Sequence, residues 1–177
     1  MFQRLSNTCS SLETECGLLP KHCDHRMNRR CNRLLTKTIT DELQRVLNAA
    51  ARLISCTGRY DRGLSALLHD ELHWLDIPQR VQYKLAVTVH WCLRNQAPTY
   101  LIDYCVPVSD VAGRRHLRSA SRHQLTVPRV RCSTFCCRSF ASAGPTVWNS
   151  LPNSLRNPTV GPEQFRRTLK THLFACC

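Results

Sequence analysis

Twelve cysteines and eight histidines are the residues of this 177-residue chain with the chemistry to hold a metal. The first four cysteines, Cys9, Cys16, Cys23 and Cys31, are separated by 7, 7 and 8 positions, with His22 and His25 among them. A finger-type zinc site presents paired ligands about two to four residues apart, so that one tight turn aims both at the ion. Only Cys23 and His25 come that close, and a single residue between them is too short for the usual knuckle. Cys16, Cys23, His25 and Cys31 are therefore the candidate ligand set, and no metal is expected on it. Cys136 and Cys137 are adjacent, which splays their side chains apart. The opening residues carry no apolar run of the kind that directs export, so free thiols are expected rather than a disulfide scaffold.

Residues for catalysis are scattered. The seven aspartates, Asp24, Asp41, Asp61, Asp70, Asp76, Asp103 and Asp110, include no adjacent pair that could hold two metal ions. His69, Asp70, Glu71 and His73 are neighbours, yet charged side chains crowded at a helix end usually form a solvated face. No phosphate-cradling Gly-x-x-x-x-Gly-Lys occurs. The expectation is a chain with no catalytic residues and no cofactor.

Charge carries more information. The chain has 25 Lys+Arg against 12 Asp+Glu, a net +13. Residues 1–40 hold 7 basic and 3 acidic groups, residues 41–106 hold 7 of each, and residues 107–177 hold 11 and 2. Of the basic residues 21 are arginine, whose planar fork suits bidentate contact with phosphate. Arg114, Arg115, Arg118, Arg122, Arg129 and Arg131 fall within 18 residues. A field of that density attracts polyanions, and the expected partner is the backbone of RNA or DNA, contacted without base readout.

These side chains need elements to hold them. Apolar residues make up 42% of the chain with the cysteines included, which predicts a core in part of it only. Residues 1–37 lack periodicity and read as a disordered arm. Residues 38–106 read as a helical region, with a small bundle over about 38–105. Thr38 to Asp41 offer capping oxygens, and Asp41 and Glu42 are placed for a first helical turn. Leu43, Val46, Leu47, Ala50, Leu53 and Ile54 then fall on one face, with Gly58 as the stop. A short helix follows around Leu64–Glu71. The next has Asp76 as cap, Pro78 in its first turn and Val81, Leu85, Val89, Cys92 and Leu93 along one side, and it turns at Asn95. The helices at Leu43–Ile54 and Val81–Leu93 are expected to pack face to face.

Residues 107–177 read as a basic, irregular tail with short β-strands and one or two C-terminal helices. Gly113 to His123 form a Ser- and Arg-rich loop, and Leu125, Val127 and Val130 suggest a short edge strand with Arg129 and Arg131 alternating. The apolar stretch from Phe135 is expected to end at Gly144-Pro145. Trp148 to Pro152 reads as a helix end, and Pro162 opens a last amphipathic helix through Phe174. Phe135, Phe140 and Trp148 suit a small core better than a base-stacking platform. The fold class expected is thus mainly α. No run of about 18 apolar residues exists to span a membrane, so an intracellular protein, nuclear or cytoplasmic and not secreted, is expected.

The segment from Leu43 to Arg52 with Leu72-His73-Trp74-Leu75 resembles the C-terminal part of non-LTR retrotransposon reverse transcriptases of the jockey and chicken-repeat type. The resemblance continues in order through Tyr83 to Val87, Ala97 to Leu101, Gly113 to Ser119, Ala143-Gly144-Pro145 with Trp148 to Pro152, and Phe165 to Phe174. It covers residues 43–174, about three quarters of the chain, and none of residues 1–40. Two departures stand out: Asn95-Gln96 where the family usually has Gly before Ala-Pro, and Thr134-Phe135-Cys136 where it usually has Thr-Tyr-Gly. The resemblance implies the region that follows a polymerase palm. The palm's aromatic-Ala-Asp-Asp turn does not occur in this sequence. A non-catalytic fragment that binds RNA or DNA through its basic tail is the expectation, with an inert remnant of a decayed element or a host-adopted helical interaction module as alternatives. The apolar helix faces would then be the surfaces that once met the missing palm, or that meet another protein.

Overall fold

A computed structural model describes residues 37–129, 138–157 and 159–175. Residues 1–36 of the N-terminal arm, with the zinc candidates Cys16, Cys23, His25 and Cys31, and Val130, Arg131, Phe135 and Cys136 lie outside the described residues, while Lys37 at the arm's end is already helical. The described part is mainly helical. In chain order the helices are α1 (Lys37–Ser55), the short α2 (Leu64–Ala66) continued by a π turn (Leu67–Glu71), α3 (Ile77–Leu93), α4 (Thr99–Ile102), α5 (Arg118–Ser121), α6 (Phe140–Ser150) and α7 (Pro162–Phe174).

α3 is the central element. Pro78 occupies its first turn, where a missing N–H costs nothing, and Asn95 closes it in the left-handed conformation (φ 55°). α3 packs chiefly on α6 and α7, and much less on α1. The face-to-face pairing expected for Leu43–Ile54 and Val81–Leu93 is therefore not formed. α3 turns Ala86, Val89, His90 and Cys92 into the core, while Val81 and Leu85 are only partly covered. One apolar cluster takes Leu75, Ala86, Val89 and Cys105 from before residue 106, and Leu125, Trp148, Leu151, Phe165, Leu169 and Leu173 from after it. The helical region and the basic tail thus share one core, because α3 finds its partners downstream.

At the centre His90 lies flat on Phe165, ring centroids 4.2 Å apart at 9°, with Trp148 at 5.9 Å from Phe165 and 6.4 Å from His90. Trp148 is fully buried, as its assignment to a small core requires. The chain does not end α6 at Gly144-Pro145: the helix runs through both to Ser150, and Leu151-Pro152 follow it. Pro145 forfeits a single helical hydrogen bond, which the burial of Val147 and Trp148 on the following turn offsets. A Cβ on Gly144 would come within 3.1 Å of Val89 on α3 and of Phe140 one turn back on α6, so the glycine lets α6 lie close against α3 here.

α1 is attached in an unusual sense. It begins at Lys37, so Asp41 and Glu42 fall in its second turn rather than the first. Its end is set by Cys56, left-handed at φ 55°, with the Thr57 amide reaching back to the Arg52 carbonyl at 3.1 Å; Gly58 instead gives its amide to Asp61. Gln44 donates to Asp76 Oδ1 (2.9 Å) and accepts from the Ile77 amide (3.0 Å). Asp76 holds the N-cap position of α3, yet its side chain caps no amide there, and Gln44 performs that task from another helix. Ala51 is buried, whereas Leu43, Val46, Leu53 and Ile54 are exposed, Leu53 to 81%. The inward face of α1 is mixed, with Gln44 and Asn48 beside half-buried Leu47 and Ala50, while most of its apolar stripe faces out.

Two buried cysteines meet in the core. Cys92 and Cys105 are hydrogen-bonded to each other, and burial, with Cys92 beside it, pushes the Cys105 thiol up to about 12. A thiol held protonated is a poor nucleophile. Brief alkylation with iodoacetamide near neutral pH, followed by peptide mapping, should label exposed Cys56 and spare Cys92 and Cys105 until urea is added. Equal labelling of the three in the folded chain would contradict the buried pair.

Candidate nucleic-acid interface

The basic loop is fixed at both ends by backbone pairing. Val108 donates to the Gln124 carbonyl and Thr126 to the Val106 carbonyl, both at 2.9 Å, which makes Pro107 and Leu125 an isolated antiparallel bridge. Among the described residues, which leave out Val130, no longer strand forms, so over Leu125 to Arg129 the expected edge strand reduces to this one bridge. Pro107 and Pro128 explain why: neither has an amide to extend a ladder.

α6 then holds the closing end. Asn149 accepts from the Leu125 amide and donates to the Leu125 carbonyl, each at 2.7 Å, imitating a neighbouring strand. Trp148 Nε1 donates to the His123 carbonyl at 2.9 Å. Leu125 itself is 2% exposed, an apolar peg between these two bonds. The sequence contains Trp148-Asn149 as a quotable pair, but its role as a clamp depends on a contact across 24 residues that no local pattern encodes.

Between the clamped ends the chain advances by consecutive turns, Arg114 N to Val111 O, Leu117 N to Arg114 O and Ala120 N to Leu117 O, with Gly113 at φ 77°. The loop is more ordered than its composition implies, and α5 spans Arg118–Ser121. Arg114, Arg115, Arg118 and Arg122 on this loop and Arg129 just beyond it are all exposed. Among the described residues none of the five forms an ion pair with a carboxylate. Arg131 lies outside the described residues.

Arg156 is a sixth cation that sequence reasoning did not single out. It is 5% exposed, and its guanidinium donates to the Asn149 carbonyl at 3.1 Å and to Asn153 Oδ1. Burial, reinforced by the nearby Arg122 charge, lowers its pKa. It thus supports the clamp from beneath and adds positive potential under the loop. Across the protein, His69 faces Asp76 at 3.5 Å rather than Asp70 or Glu71, and Asp70, Glu71 and His73 are exposed. Asp76 also lines a cleft of about 540 Å³ between α1, α2 with its π turn and the start of α3. Among the described residues no three His, Cys, Asp or Glu side chains converge as metal ligands, and no helix is long and apolar enough to cross a membrane. Comparison with protein-family models, curated proteins and solved structures finds nothing that matches this chain.

Proposed function

We propose that this chain is a non-catalytic fragment derived from the C-terminal region of a non-LTR retrotransposon reverse transcriptase, and that it binds RNA or DNA backbones non-specifically through the loop from Gly113 to Arg129. The observation that carries the binding is the loop itself: Arg114, Arg115, Arg118 and Arg122, exposed and without a carboxylate partner among the described residues, on a segment clamped at both ends, with exposed Arg129 just beyond it. Clamping lowers the entropy lost when several guanidinium groups engage phosphates together. The derivation rests on the collinear segments from Leu43 to Phe174, and Arg131 is included in the binding set by sequence proximity.

Such binding releases counterions, so affinity should fall with salt at a log–log slope of about −0.7 to −0.9 per phosphate contacted. Replacing Arg114, Arg115 and Arg118 together by Ala should flatten that slope by about two to three, and should weaken unrelated single- and double-stranded sequences alike. Gel-shift titrations at several salt concentrations decide it. Binding undetectable at low salt, or a slope indifferent to the triple substitution, would leave the inert-remnant reading in its place.

A further inference from the structure

The exposed stripe of α1 does not end at the helix. Leu43 is shared between that stripe and a groove of about 470 Å³ bounded by α1, α3 and the start of α6. Val81 and Leu85 of α3 and Phe140 of α6 supply its floor, all only partly covered by the protein's own core. The charged side chains along it are Arg80, Lys84 and Arg138, with no carboxylate among its lining residues. Ile39 (47% exposed), Val46 (68%) and Leu53 (81%) continue the apolar surface along α1.

We propose that this groove docks an acidic amphipathic helix of a partner protein. A helix is the form that fits, because the groove walls are helices whose backbone groups are bonded internally, and an added strand would find no free edge to pair with. Acidity follows from the rim: Lys84 is exposed, Arg80 keeps its charge while its Nε bonds the Leu75 carbonyl and its guanidinium lies 5.7 Å over the Trp74 ring, and with Arg138 they make a positive field that attracts carboxylates and repels a basic ligand. A second copy seated face to face would set the same Arg80, Lys84 and Arg138 against this rim, like charge on like. A nucleic-acid backbone would gain nothing from Val81, Leu85 and Phe140. The groove shares no lining residue with the Gly113–Arg129 loop, so the proposal does not rest on nucleic-acid binding.

The test uses the full chain and two synthetic probes of about 16 residues: a helix with Leu at i, i+3, i+4 and i+7 and Glu on both flanks, and its twin with Lys for Glu. In anisotropy titrations the Glu helix should bind and the Lys twin should bind about tenfold or more weakly. Lys84→Glu, an exposed change, should weaken the Glu helix about tenfold and narrow or reverse the preference. Leu43→Lys, checked for an unaltered melt, should weaken both probes. Equal binding of the two helices, or indifference to Lys84→Glu, overturns the proposal. So does an oligonucleotide whose binding is lost in Lys84→Glu while helix binding persists, which would assign the groove to nucleic acid. A mass that doubles with concentration in the parent chain and not in Leu43→Lys would assign it to a second copy.

Discussion

Trp148→Ala should destabilise the protein by about 3–5 kcal/mol, a large part of the roughly 5–15 kcal/mol that holds a domain of this size together. The indole is the largest fully buried side chain, it packs against Phe165 and His90, and its Nε1 holds the His123 carbonyl. Removing it leaves a cavity at the crossing of α3, α6 and α7 and also frees the closing end of the arginine loop. Urea unfolding would report the loss as a lower midpoint at unchanged slope. Amide exchange at His123 and Gln124 would accelerate beyond the global effect. Trp148→Phe, which keeps most of the ring and loses the N–H, should fall between the two. A change below about 1 kcal/mol in Trp148→Ala would mean that the indole is not the centre of the core.

Stability should also fall on mild acidification. Burial lowers the pKa of His90, the nearby charges of Arg94 and Arg166 lower it further, and the bond to the Val160 carbonyl opposes the shift; burial alone lowers His172. In the unfolded chain both titrate near about 6.5. The unfolded state therefore takes up protons first as pH falls, so the stability contributed by the neutral rings is complete above about pH 6.5 and is lost as pH falls from there through the depressed native values. The loss can reach about 1.4 kcal/mol per pH unit for each histidine, or about 2.7 for the pair. Melting temperatures between pH 7 and pH 5 (about 6.5 being the onset) would follow it. His90→Phe keeps a ring on Phe165, and the Val160 carbonyl still accepts from Arg94 at 3.2 Å. That variant should lose the His90 share of the parent's acid sensitivity and keep the share of His172. A melting temperature flat over that range would contradict the buried, neutral histidines.

The elements were legible where local chemistry decides them. Pro78 and Asn95 mark the two ends of α3, Pro162 opens α7, and Trp148 belongs to the core. What could not be read was which face of each helix meets which partner. The stripe from Leu43 to Ile54 has a strong helical period, and periodicity locates an apolar face without saying what covers it. The true attachment of α1 runs through Gln44, a polar residue whose two bonds reach 32 and 33 positions along the chain. His90 fell outside the apolar period of α3 because its ring pairs with Phe165, and a lone histidine carries no sign of such a stack. The arginines of the candidate site were visible as composition, whereas the clamp that orders them, Asn149 on Leu125 and Trp148 on His123, is a tertiary product.

The reversed seating of α1 also ranks the parts of the molecule by cooperativity. Elements α3, α6 and α7 bury their large side chains in one another and must open together, in the manner of a single foldon. α1 contributes one buried alanine, the half-buried Leu47 and Ala50, and a set of side-chain hydrogen bonds for which water is a ready substitute. Its detachment exposes little apolar area, so it lies at the low end of the opening free energies and can leave without unfolding the rest. The persistence of α1 is then governed by what occupies its outward stripe, and the helix behaves as an adjustable limb on a body whose stability is set elsewhere.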